Sequence, residues 1–270
     1  MSESAADPQV TLVVLSCDAY RDLWRPCLTL IDRRWPDCPY PKVLVSETVS
    51  FSWPGVRTVT VGEGLSWSGC LQVALGALGT PYVLLMLEDY FLMGRVDTER
   101  VAQVVSHAQR LSAGMVRLLP VPGPDVPVPD VPELGALAAE AGFRTSLQAA
   151  LWRREVLASL LVAGESPWEF ETRGTERSRS RTDLYCTWDR VFPAESVVYR
   201  GVWFRDEAAV YRAMDVGCDF TARPTMSLAR QAWWTGRRRV LLRLRRLLSP
   251  LGAPFFHGVL RLGRALGLRV

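Results

Sequence analysis

The segment Tyr82–Leu87 (YVLLML) is apolar at every position and stops abruptly at Glu88-Asp89. A strand with one wet face alternates polar and apolar residues. A strand without alternation is covered on both faces, as in a parallel sheet flanked by helices. Val10–Leu15 (VTLVVL) has the same character. Further strand-like runs occupy residues 42–45, 56–61, 115–119 and 146–152. Helical spacing fills the stretch up to Arg34, the stretch from the capping Ser66 to Ala77, and residues 98–111, 155–162 and 208–216. This order predicts an α/β fold with a mostly parallel sheet and helices on both faces. Two stretches fit neither element. Residues 120–132 (PVPGPDVPVPDVP) read as a stiff exposed loop, and residues 173–182 (RGTERSRSRT) as a mobile basic one.

A chain of 270 residues suits one such unit with an appendage, and the charge marks where the appendage begins. Residues 226–270 hold ten Arg and no acidic residue, so the overall net charge of +4 divides into −6 for residues 1–225 and +10 for the tail. At 100° per residue, Val240, Leu241, Leu244, Leu247 and Leu248 share one helical face, with Arg238, Arg239, Arg243, Arg245 and Arg246 opposite and Leu242 the exception. Such a basic amphipathic tail suits an anionic membrane surface. The competing arrangement docks its Leu face on the main domain. No apolar run reaches the roughly 18–20 residues of a membrane span, and the polar start MSESAADPQV is unlike a secretory signal. The expected location is therefore cytoplasmic and peripheral to the inner face of the cell membrane. An acidic main domain without a recognition motif argues against nucleic acid. The six Cys form no C-x-x-C pair and the two His lie far apart, so no zinc site is expected.

In open parallel sheets, ligands bind beyond the carboxyl ends of the strands. Asp18, Glu47 and the Glu88-Asp89 pair fall at such ends. A buried strand that delivers a carboxylate to the sheet edge suits a Mg²⁺ or Mn²⁺ ion shared with a diphosphate. Alternation in an extended chain would send Glu88 and Asp89 to opposite sides, so the two would not both bind one ion directly. The structural alternative pairs Glu88 with an Arg and uses Asp89 as a turn cap.

The runs VTLVVLSCDAY, LSWS, LLMLEDYFL, QAALWRREVL and SPWEFE, in order between Val10 and Pro224, resemble a family of bacterial nucleotide-sugar-dependent glycosyltransferases of the GT-A (Rossmann-like) fold. The resemblance implies transfer of a sugar from a nucleoside-diphosphate sugar to a hydroxyl acceptor, such as a cell-surface or lipid-linked glycan. It implies nucleotide-sugar contacts from Cys17, Asp18, Tyr20, Glu47, Trp67, Glu88 and Asp89, with the metal on Asp89, and an acceptor-side base within Trp168–Glu171. Where the family carries D-x-D, Phe91 takes the second acidic place. Arg153, Arg154 and the basic loop are then alternative partners for the diphosphate. Ser166, Pro167 and Glu169 form a capping-box pattern that accounts for Glu169, which leaves Glu171 as the preferred base and Glu169 as the second candidate. Trp168 offers a stacking face for a sugar or a core side chain. A nucleotidyltransferase is the nearest alternative, but Ser16-Cys17-Asp18-Ala19 is not a glycine-rich phosphate loop. A non-catalytic membrane-associated scaffold of the same fold is the other.

Overall fold

The computed structural model describes residues 9–233 and residue 236. Strands β1 (Val10–Leu15), β2 (Lys42–Ser46), β3 (Val56–Thr60) and β4 (Tyr82–Leu87) pair in parallel in the order β3-β2-β1-β4. Alternate residues explain why these runs carry no polar face. Leu12 and Val14 pack on one side with Trp24, Leu28 and Ile31 of α1 (Trp24–Arg34). Val13 and Leu15 pack on the other with Leu71 and Leu75 of α2 (Trp67–Gly76). Asp97 caps α3 (Thr98–Arg110), which covers the first side through Val101 and Val104.

The sheet continues past β4, where β9 (Ala150–Arg153) runs antiparallel between β4 and β6 (Met115–Arg117). Next comes β10 (Leu184–Thr187), parallel to β6, and then the antiparallel pair β8 (Val131–Ala136) and β7 (Val126–Val128). These nine strands form one mixed, mostly parallel sheet in the order β3-β2-β1-β4-β9-β6-β10-β8-β7, so the α/β class read from the sequence holds. Helix α4 (Arg154–Leu160) follows β9 and buries Val156, Leu157 and Leu160 beside α2.

Short elements gather at the carboxyl edge of β4. β5 (Tyr90–Leu92) pairs with β11 (Ala194–Ser196), β12 (Val198–Tyr199) with β13 (Val202–Trp203), and α7 (Arg205–Arg212) follows. α5 (Pro167–Glu169) runs into a π-helical turn (Phe170–Gly174) and ends in α6 (Thr175–Arg177).

Both expected loops are corrected. The Pro-rich stretch supplies β7, whose Pro127 is tolerated because an edge strand leaves one row of N–H groups without partners. The basic stretch is helical through Arg177 and tied down beyond it. Arg144, fully buried, donates to the carbonyls of Leu137, Ser178 and Arg181. Among the described residues no helix is long and apolar enough to cross a membrane. The amphipathic segment expected in the tail lies outside the described residues.

Candidate active site

The buried run of β4 gives way to a turn at Glu88-Asp89, not to more strand. The strict alternation expected for this pair therefore does not apply. Both carboxyls lie in the same buried region, and each is pushed upward. Burial and then the Asp89 charge hold Glu88 well above the ordinary carboxylate range. Burial raises Asp89 to about 6. Asp89 Oδ2 accepts from Ser196 Oγ at 3.1 Å, and the Asp89 carbonyl accepts from Val197 N–H at 2.9 Å. Asp89 Oδ1 is buried with no hydrogen-bond partner. A buried carboxylate oxygen without a donor is costly unless something positive meets it. Phe91, in the second place of the acidic motif, is fully buried against Trp203 and Tyr211 and cannot serve as a ligand.

The loop after β1 forms the next wall. Asp18 N–H donates to Glu47 Oε2 at 3.0 Å, while the Asp18 carboxylate accepts from the N–H groups of Glu47, Thr48 and Val49. Burial pushes the Asp18 carboxyl up, but the hydrogen bonds from Thr48, Val49 and Glu47 outweigh it and hold the group below its ordinary range. The Asp18 carboxylate thereby locks two strand-end loops together. Cys17 is pushed up to about 11 by burial and by the Glu88 and Glu47 charges, so its thiol stays neutral.

Tyr20 meets a residue that the sequence reading missed. Arg223 lies 3.9 Å from the Tyr20 ring centroid, donates to both Asp22 oxygens at 2.6 and 2.7 Å, and donates to the Ala19 carbonyl at 2.7 Å. Burial disfavours its charge, but the Asp22 hydrogen bonds win and raise its pKa. The guanidinium is within electrostatic reach of Glu88 and Asp89, whose pKa values it lowers against the stronger effect of burial. No local pattern marks it, because Arg223 and Asp22 are 201 residues apart in sequence.

Another wall is the helical segment at residues 167–177, π-helical over Phe170–Gly174. Glu169 is consumed by its capping box. Its Oε2 accepts from Ser166 N–H at 2.9 Å, its Oε1 pairs with Arg173 at 3.2 Å, and the Ser166 bonds hold its pKa below the ordinary range. Both of its oxygens are thus engaged by the cap and by Arg173. Glu171 sits in the π-helical turn, a feature frequent at functional sites. Its Oε1 accepts from Leu147 N–H at 2.8 Å, and burial raises its pKa against that bond, the Arg117 charge and Ser146. Tyr90 connects the walls, since the Asp89 and Glu171 charges both reinforce the upward shift that burial gives its hydroxyl. Trp67 packs on Phe170 at 5.4 Å between ring centroids, and so braces this helix against α2. Trp168 is 54% exposed and is not a core side chain.

The expected arginines are elsewhere. Arg153 pairs in register with Tyr82 at the start of β4, so it sits at the opposite edge of the sheet from Glu88. It is held there by Asp183 at 3.2 Å. Arg154 likewise donates to the Leu78 carbonyl at that edge. Arg177 binds Glu165 through two hydrogen bonds of 2.7 Å, Arg179 pairs with Glu176, and Arg181 with Asp183. The basic stretch is therefore neutralised by its own neighbours.

No protein-family model matches the sequence, and no curated protein matches it. Similar solved structures include S. aureus TarS in its 1–349 form, at 13% identity and TM-score 0.43, covering 66% of this chain and 60% of that one. A mannosyltransferase from Pyrobaculum calidifontis in complex with GDP-Man and Mn²⁺ shows 18% identity and TM-score 0.44, covering 72% and 58%. The 2-C-methyl-D-erythritol 4-phosphate cytidylyltransferase of Thermus thermophilus shows 14% identity and TM-score 0.45, covering 76% and 98%. The chain thus spans about three fifths of the length of the first two.

Proposed function

We propose that this chain is a glycosyltransferase that moves a sugar from a nucleoside-diphosphate sugar to a hydroxyl acceptor. The observation that carries the reading is Asp89 Oδ1, a buried carboxylate oxygen without a donor at the carboxyl edge of the sheet. Among the described residues no group of three or more His, Cys, Asp or Glu could hold a metal. One available carboxylate oxygen fits Mg²⁺ or Mn²⁺, which bind through one or two carboxylates and complete their shell with phosphate and water. Such an ion supplies charge stabilisation to the departing diphosphate.

The chain's own residues divide the remaining work. The Asp18–Glu47 lock shapes the nucleoside side, with Cys17 neutral within it. Tyr20 offers a ring there, and Arg223 brings fixed positive charge toward the acidic pair. Glu171, its pKa raised by burial, accepts the proton of the acceptor hydroxyl. The hydroxyl oxygen bonds to the anomeric carbon as the carbon–diphosphate oxygen bond breaks, and the configuration inverts. Residues 1–225 carry this chemistry. The tail, residues 226–270, holds the enzyme at an anionic membrane surface, where cell-surface or lipid-linked glycans are presented.

The test is turnover of nucleoside-diphosphate sugars by the full chain, with and without Mn²⁺. Asp89→Asn should lose roughly two orders of magnitude, as for other groups that stabilise developing charge. Release of pyrophosphate from a nucleoside triphosphate supplied together with a sugar phosphate would instead identify nucleotidyl transfer. Binding without turnover across a range of acceptors would identify a scaffold. Near-normal turnover by folded Asp89→Asn would refute the assignment.

A further inference from the structure

Arg200 is exposed and lies over two aromatic rings. Its guanidinium lies 5.5 Å from the Trp168 ring centroid and 5.6 Å from that of Tyr199, and among the described residues no carboxylate pairs with it. Arg173 and Arg179, also exposed, both have acidic partners. A guanidinium set between two rings loses freedom but keeps its N–H edge for a ligand.

The backbone places this group deliberately. β12 and β13 are joined by the two-residue turn Arg200-Gly201, with φ of 51° and 76°. Positive φ at both positions is the type I′ hairpin turn, which favours Asn or Asp before Gly. An arginine there occupies a conformation that its side chain does not favour, and such outliers gather at functional sites. The hairpin is rooted in the site already described: Ser196 and Val197, just before β12, both hydrogen-bond Asp89. Its tip spans both walls. A side chain at Gly201 would come within 3.7 Å of Arg223, while Arg200 reaches Trp168, three residues before Glu171.

We infer that Trp168 and Arg200 form an acceptor subsite for an anionic saccharide, one that carries carboxylate or phosphate groups on its sugar units. Trp168 offers an apolar ring to the face of a sugar, and Arg200 supplies a planar pair of donors matched to a carboxylate or phosphate. The inference rests on the glycosyltransferase reading, because it makes the Glu171 side of the site the acceptor side.

Calorimetric titration of the full chain tests it with three probes: tetragalacturonate, the neutral maltotetraose, and inorganic phosphate. Wild type should bind tetragalacturonate at least tenfold more tightly than maltotetraose. Arg200→Gln should remove that preference without changing maltotetraose binding, and Arg200→Lys should restore only part of it. Trp168→Ala should weaken both saccharides. Inorganic phosphate should bind wild type and Arg200→Gln alike, since the subsite needs ring and charge together. Equal affinity for the two saccharides, no saccharide binding at all, or a preference that survives Arg200→Gln would overturn the inference. Titration of a nucleoside diphosphate with Mn²⁺ into the same variants separates the two claims. Retained nucleotide binding without saccharide preference strikes the subsite alone, whereas saccharide preference without nucleotide binding strikes the donor reading.

Discussion

Glu171 shows how one side chain can be both fixed and desolvated. Its bond to Leu147 N–H fixes the carboxyl, while burial makes its ionised form costly. Folded, it therefore holds its proton above the ordinary value of 4.5; unfolded, it releases it there. The folded state binds more protons in that interval, so stability associated with Glu171 is full below pH 4.5 and is lost as pH rises through the folded value. Gln keeps an acceptor for Leu147 N–H and has no proton to lose. The melting temperature of Glu171→Gln, relative to wild type, should accordingly climb between pH 4 and pH 7 while turnover falls. A pH-independent difference would mean that Glu171 is not held in a desolvated position. The capping role of Glu169 was legible in the sequence, because a capping box is a local pattern. Arg223 and Arg200 were not, because only the folded chain brings them to Tyr20 and Trp168.

At the scale of elements, legibility followed the length of the apolar run. β1 and β4 match their sequence-predicted limits since each is a six-residue strand covered on both faces. β5 and β11 to β13 have only two or three residues each, and their partners are set by tertiary packing at the sheet edge. The π-helical turn also escaped notice, since its composition is that of an ordinary helix. The basic stretch was misread because its charge was counted without its partners. The carboxyl of Glu165 is 4% exposed and Arg177 covers it, so this pair belongs to the fold. Arg177→Ala strands a buried charge and should cost on the order of 3 kcal/mol in chemical denaturation. Arg173→Ala, which breaks an exposed pair with Glu169, should stay near wild type. If both variants were equally mild, the stretch would be free to meet ligands after all.

For the whole molecule, the division of charge constrains function independently of any site. A main domain with net −6 is repelled by an anionic bilayer, and a tail with net +10 is attracted to it. Near such a surface each basic residue contributes on the order of 1 kcal/mol, and the attraction decays within a Debye length. On the proposed membrane reading, the tail outweighs the rest of the chain only when it is closest to the lipid. Screening shortens the Debye length from about 10 Å at 0.1 M salt to about 3 Å at 1 M. Full-length protein should sediment with anionic vesicles at low salt, release progressively as salt rises, and ignore neutral vesicles. Replacing Arg243, Arg245 and Arg246 by Glu lowers the tail's net charge by six and should abolish sedimentation without changing donor turnover in solution. If that variant instead loses turnover or melts early while vesicle binding persists, the tail belongs to the fold, and the charge asymmetry serves a partner other than a membrane.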